Sequence, residues 1–265
     1  MDCLPSNMLN AVRAKKPLVH HITNYVTVND CANVCICAGG APVMTDEIDD
    51  VVDMVSIANA LVINIGTLNQ RTIASMLAAG KTARSKGIPV ILDPVGMGAT
   101  KLRTETALKI IDEVHPCVIK GNAGEMGVLS GAGGEVRGVD SAGASGDMAE
   151  IVRSIAKRYG CVAAATGPVD YVSDGEVTVK LSNGDDLMGA VSGTGCTLSS
   201  VVGSYVGANG ASVESVAAAI TAFNVAAEDA AKVAKGPGTF KPALLDALYA
   251  LRAEELDSRV KAEKL

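Results

Sequence analysis

Residues 72–96 read Thr-Ile-Ala-Ser-Met-Leu-Ala-Ala-Gly-Lys-Thr-Ala-Arg-Ser-Lys-Gly-Ile-Pro-Val-Ile-Leu-Asp-Pro-Val-Gly. Thr72 to Lys86 carries apolar side chains at helical spacing, Gly87-Ile88-Pro89 stops it, and Pro89 to Leu92 is a short apolar run ending on Asp93. A helix stop followed at once by an unbroken apolar run is how a strand buried on both faces reads. The unit recurs. Similar runs stand at Leu18 to Ile22, Ala41 to Met44, Ala60 to Ile65, Cys117 to Ile119 and Cys161 to Ala165, and Glu105 to Val114 is a second helix, stopped by His115-Pro116. Strand alternating with helix predicts an α/β fold with a mostly parallel, doubly wound sheet. Tyr171 to Leu181 departs from this rhythm: it alternates and turns at Asp174-Gly175, which predicts an edge hairpin. Thr197 to Val206, Ser212 to Ala231 and Pro242 to Arg259 then read as helices, the last running into a charged tail. Nothing linker-like interrupts the chain, so residues 1–265 are expected to form a single domain.

Composition narrows the partners. A net charge of -6 and a pI near 5.1 argue against a nucleic-acid surface, and two Phe and five Tyr offer no stacking platform. No apolar stretch approaches the roughly 18 residues of a membrane span, and no secretory signal is evident. These features lead to the expectation of a soluble, cytoplasmic protein with a small-molecule partner. In that setting seven cysteines read as reduced thiols. A mean hydropathy of +0.29 with 28 glycines implies buried small-residue contacts, some of them between subunits of a homo-oligomer.

The chemistry concentrates in Gly189-Ala190-Val191-Ser192-Gly193-Thr194-Gly195-Cys196-Thr197-Leu198-Ser199, read as a strand-like segment, a turn and a small-residue helix. Glycines spaced by one residue let the turn present N–H groups beside the positive end of the helix, a cradle for phosphate with a thiol in it. Asp93 and Glu125 follow two of the apolar runs, at the sheet edge where open α/β folds place ligands. Alone, Asp93 reads equally as a turn cap and Glu125 as a favourable charge in a first helical turn. Together they suit Mg²⁺ on a polyphosphate, which takes few carboxylates, several waters and phosphate oxygens. Lys120 is either a phosphate contact or a solvated lysine, and Thr166-Gly167 either meets a nucleotide phosphate or merely ends a strand. His20 to Asn29 gathers polar and aromatic side chains suited to a small heterocycle, its histidines expected to be structural. The Cys31, Cys35, Cys37 spacing fits no zinc pattern, so buried free thiols are expected there, and Cys3, Cys117 and Cys161 also read as structural.

Taken in order, Val19 to Thr27, Ala41-Pro42-Val43-Met44, Asn64-Ile65-Gly66-Thr67-Leu68, Leu92 to Gly96, Gly121-Asn122-Ala123-Gly124-Glu125 and Gly193-Thr194-Gly195-Cys196 resemble the hydroxyethylthiazole kinases, members of the ribokinase-like superfamily. The resemblance runs from about Leu18 to Leu251. It implies a three-layer αβα fold and ATP-dependent phosphorylation of 4-methyl-5-(2-hydroxyethyl)thiazole. On matching positions it makes Gly193, Thr194 and Gly195 an anion hole and sets Cys196 where most of the superfamily has an aspartate base. It gives Lys120, Asn122 and Thr166 to ATP, Asp93 and Glu125 to Mg²⁺, and Met44, Gly193, Asn24, Val26, Gly66 and Thr67 to the thiazole. It also implies homotrimers with sites between subunits, the Asn24 to Thr27 segment crossing from a neighbour. His21 departs from many relatives. The rival readings are another kinase of the superfamily, a nucleotide-dependent dehydratase of hydrated nicotinamide cofactors, and a nucleotide-binding protein without catalysis.

Overall fold

In the computed structural model residues 5–131, 136–137, 140–141 and 147–265 are described. Six apolar runs become parallel strands, and the full set in chain order is β1 (Leu18–Ile22), β2 (Ala41–Met44), β3 (Ala60–Asn64), β4 (Val90–Asp93), β5 (Val118–Asn122), β6 (Val136–Arg137), β7 (Asp140–Ser141), β8 (Val162–Thr166), β9 (Asp170–Ser173), β10 (Thr178–Leu181) and β11 (Ala262–Lys264). The helices are α1 (Pro5–Lys15), α2 (Val28–Ala38), α3 (Ile48–Ile57), α4 (Gln70–Ser85), α5 (Lys101–Val114), α6 (Ala123–Ser130), α7 (Met148–Tyr159), α8 (Thr194–Asn209), α9 (Val213–Val233), α10 (Pro237–Ala250) and α11 (Ala253–Arg259). One nine-stranded sheet has the order β2-β1-β3-β4-β5-β8-β9-β10-β11, parallel from β2 to β8 and antiparallel beyond, while β6 and β7 pair separately.

Alternation along each strand sends side chains into two apolar layers. Val19, Val62, Ile91, Val118 and Val162 pack under α1, α2 and α8 to α11, and Leu61, Ile63, Leu92, Ile119 and Ala163 under α3 to α7. This is the three-layer arrangement expected. Small residues bring α8 unusually close to the sheet: a Cβ on Gly203 would lie 2.6 Å from Val62 Cγ2. That approach sets the start of α8 against the ends of β3, β4 and β5.

Three expectations need correction. The β9–β10 hairpin is not the edge, because β11 pairs outside it, Lys180 opposite Glu263. The Pro242 to Arg259 helix is two helices broken at Leu251-Arg252, since Arg259 must fold back to reach Glu228 and Asp229 on α9. The residues before the Gly193 turn are not strand-like but a short 3₁₀ turn, Asp186–Ala190, started by the Asp185 carboxylate, which accepts from Leu187 N. Cys31, Cys35, Cys117 and Cys161 are free and at least partly buried, and Cys3 lies outside the described residues. Among the described residues no helix is long and apolar enough to cross a membrane.

Candidate active site

Parallel pairing sets the ends of β3 and β4 side by side, Asn64 opposite Asp93, and those of β5 and β8 likewise, Asn122 opposite Thr166. Asp93 is buried, and its contacts converge on Oδ2, which accepts from Asn64 Nδ2 at 2.8 Å and Ser199 Oγ at 2.7 Å and pairs with Lys120 Nζ at 3.3 Å. Lys120 is itself buried and donates to the Gly195 carbonyl at 2.9 Å, so it is not the solvated lysine of the alternative reading. Burial would lower its pKa, but Asp93, Cys196 and Glu125 outweigh that and hold it above the ordinary value. A fixed positive charge therefore stands under the turn at neutral pH.

Glu125 takes part in a capping box at the start of α6. Its N–H is accepted by Asn122 Oδ1 at 2.9 Å while its Oε2 accepts Asn122 N at 2.8 Å and its Oε1 accepts Gly96 N at 2.7 Å. The helix-start role and the site role thus coincide. Burial first, then the neighbouring Asp93 charge, push its carboxyl up to about 7. Two buried acids face one buried lysine, and this excess of negative charge suits a cation. No group of three or more His, Cys, Asp or Glu side chains among the described residues could hold a metal ion alone. Asp93 and Glu125 offer oxygen donors of the kind Mg²⁺ takes alongside phosphate oxygens and water, Asp93 Oδ1 taking no part in the contacts just given.

The turn itself is shaped by Gly193, whose φ of +88° lies in the left-handed region and whose Cβ, if present, would sit 2.1 Å from Thr27 Cγ2. No side chain caps α8, so no side-chain oxygen occupies the space in front of its first N–H groups. Thr194 is spent on structure: its hydroxyl donates to the Met188 and Val191 carbonyls at 2.9 and 2.8 Å. Cys196 is half-buried, and burial, with Asp93 next, pushes its thiol up to about 11.

The substrate candidates divide. Met44 and Thr67 line one cavity of about 230 Å³ together with His21, Tyr25 and Arg71. Gly193 borders a second, much smaller cavity with Thr194, Asp30 and Lys241. Asn24 is buried in its own chain, donating to Asn64 Oδ1 at 3.0 Å and accepting from Thr27 N and Oγ1, both at 3.1 Å. Gly66 packs against it, a Cβ there meeting Asn24 Cβ at 2.9 Å, whereas Val26 points outward and is 60% exposed. Thr166 donates to the Gly121 carbonyl at 3.3 Å, beside Lys120 and Asn122.

His21 is fully buried, its Nδ1–H donating to the Val19 carbonyl at 2.9 Å and its Nε2 accepting from Ser200 Oγ at 3.0 Å. Sequence reasoning missed Ser199 and Arg103. Ser199 falls one helical turn after Gly195, a signal available in the sequence. Arg103 carries none: from α5 it donates to the Ile65, Val95 and Gly66 carbonyls at 3.0, 2.7 and 2.7 Å, clasping the loops after β3 and β4.

The fold is ribokinase-like. A ribokinase-like superfamily protein from Enterococcus faecalis V583 matches with a TM-score of 0.64 at 15% identity, covering 93% of this chain and 89% of that one. The model of the hydroxyethylthiazole kinase family matches residues 9–254, and the chain belongs to that family. It is 55% identical over 256 residues to a hydroxyethylthiazole kinase of Methanocella arvoryzae, covering 97% of this chain and 96% of that protein. The structure of hydroxyethylthiazole kinase protein from Pyrococcus horikoshii OT3 superposes with a TM-score of 0.91 at 36% identity and covers 98% of both chains.

Proposed function

We propose that this chain transfers the γ-phosphoryl group of ATP to the hydroxyl of 4-methyl-5-(2-hydroxyethyl)thiazole, a salvage step toward thiamine. Full-length similarity to hydroxyethylthiazole kinases carries the reading, and the uncapped start of α8 beside buried Lys120 and Asp93 supplies the chemistry. The hydroxyl oxygen attacks Pγ as the bond from Pγ to the β,γ-bridging oxygen breaks; ADP leaves, and the hydroxyl proton passes to an oxygen of the transferred phosphoryl group and from there to solvent. N–H groups of Gly193 to Cys196 hold the transferring oxygens, while Lys120, Asn122 and Thr166 position ATP. Asp93 and Glu125 would hold Mg²⁺, which when bound offsets charge on the phosphate oxygens. With its thiol pushed up to about 11, Cys196 stays protonated at neutral pH and acts as a contact to the acceptor hydroxyl rather than as a thiolate base. A loose transition state tolerates this, because little charge develops on the attacking oxygen before transfer.

Met44 and Thr67 form the thiazole side, with Asn24 and Gly66 shaping it from behind. Tyr25 and Val26, 78% and 60% exposed, are apolar surface suited to a neighbouring subunit. The functional unit in this reading is a homotrimer with sites between subunits, working in the cytoplasm, where the free cysteines stay reduced. The test is to incubate the protein with Mg-ATP and the thiazole alcohol and to look for the thiazole phosphate by mass spectrometry. Faster phosphorylation of hydroxymethylpyrimidine or a sugar overturns the substrate assignment.

A further inference from the structure

One side chain touches both the turn after β8 and the loop that leads to Gly193. Asn224, buried on α9, uses Nδ2 twice, donating to Asp170 Oδ2 at 2.7 Å and to the Asn183 carbonyl at 2.9 Å. Asp170, also buried, accepts from Gly167 N at 3.0 Å, directly after Thr166. Asn183 is pinned in turn: its amide donates to Glu228 Oε1 and the Arg259 carbonyl, both at 3.0 Å, and its Oδ1 accepts from Lys261 N at 2.8 Å. From Asn183 the chain passes through the 3₁₀ turn to Met188, whose carbonyl accepts the Thr194 hydroxyl at 2.9 Å. Polar contacts and the 183–188 stretch of chain thus connect Gly167 to the phosphate turn, with Asn224 between them. Its neighbours on α9, Ala222, Phe223, Val225 and Ala226, are fully buried and apolar. A buried amide in such company costs stability unless its hydrogens are placed, and here both are.

We infer that Asn224 is a positioning residue for the nucleotide, fixing the spacing between the Thr166-Gly167 turn and the 183–194 segment so that both grip one nucleoside triphosphate. The inference rests on the reading in which Thr166 and Lys120 meet ATP. A leucine at 224 would fill the volume but leave Asp170 and the Asn183 carbonyl without their donor.

The test measures binding of the non-hydrolysable analogue AMP-PCP with Mg²⁺ by calorimetry, alongside steady-state kinetics, for wild type, Asn224→Ala, Asp170→Asn and Leu256→Ala. Leu256→Ala opens a cavity on α11 in the same layer and removes none of the hydrogen bonds made by Asn224 or Asp170. Asn224→Ala is expected to bind at least tenfold more weakly and to raise the KM for ATP by a similar factor, with the KM for the thiazole alcohol within twofold. Asp170→Asn keeps an acceptor for Gly167 and is expected to lose about threefold; Leu256→Ala should bind like wild type. The inference is overturned if Asn224→Ala and Asp170→Asn both bind within twofold of wild type, or if Leu256→Ala loses as much as they do. Should Asn224→Ala not fold, Asp170→Asn decides by the same criterion. Wild type failing to bind AMP-PCP at all sinks the ATP reading and the brace together, whereas wild type binding and the variants matching it sinks the brace alone.

Discussion

Gly193 shows how much one missing side chain decides. An alanine there would need a left-handed backbone, costing about 1–2 kcal/mol, and would drive its Cβ into the Thr27 methyl. Gly193→Ala should lower kcat at least a hundredfold, and adding Thr27→Ser, which removes that methyl, should recover part of the loss; no recovery in the double variant would place the damage elsewhere. Cys196→Ala is expected to reduce kcat about tenfold, near 1.4 kcal/mol of barrier, with the KM for ATP within threefold. Turnover within threefold of wild type would show that the thiol contributes nothing to the step. His21 makes a pH-dependent contribution. Burial pulls its pKa from 6.5 down to about 4, so between these values the unfolded chain takes up a proton that the native chain refuses. Its contribution is complete above pH 6.5 and is lost as pH falls toward 4, on the order of 3 kcal/mol. Asp170, pushed up by burial from 3.8 to about 6, has the opposite sign: the native chain holds the extra proton, and that contribution is lost as pH rises through 6. Chemical unfolding of wild type and His21→Asn from pH 7 to 4 checks this, the advantage of wild type shrinking as acid is added; a constant difference would refute it.

At the scale of elements, the loops after β3 and β4 carry Gly66, Thr67 and Gly96, and Arg103 fastens them through three carbonyls. A lysine has one ammonium head and cannot span them. Arg103→Lys should lower kcat/KM about tenfold and Arg103→Met should also cost roughly 2–3 kcal/mol of stability, since buried carbonyls lose their donors; unchanged kinetics in both would deny the clasp a part in the site. Strands β1 to β5 and β8 were legible because burial on both faces leaves an apolar run with a polar residue at its end, which is also what exposed Asp93 and Thr166. The 3₁₀ turn was not, because its geometry is imposed by contacts with Asp185 and Thr194 rather than by any pattern within Asp186–Ala190. β11 was hidden because Ala-Glu-Lys has no apolar pattern and forms only against β10. Arg103 and Asn224 were equally unreadable, since nothing local to them announces partners such as Gly66 and Asp170, 37 and 54 residues away.

For the whole molecule, the exposed apolar residues Tyr25 and Val26 beside the cavity have a consequence for assembly. Val26→Asp is expected to reduce the molar mass measured by light scattering to that of a single chain and to abolish turnover while the unfolding midpoint of the chain changes little; an unaltered mass would argue that these residues face solvent. The two borders of the nine-stranded sheet limit what such an assembly can be. At one border β2 carries Pro42, which has no N–H to offer a ladder. At the other, β11 is three residues long, exposed, and bears Glu263 and Lys264. Neither border offers a long bare ladder to a further strand, and stripping residues 262–264 would turn the Thr178–Leu181 rim into one, a seed for aggregation.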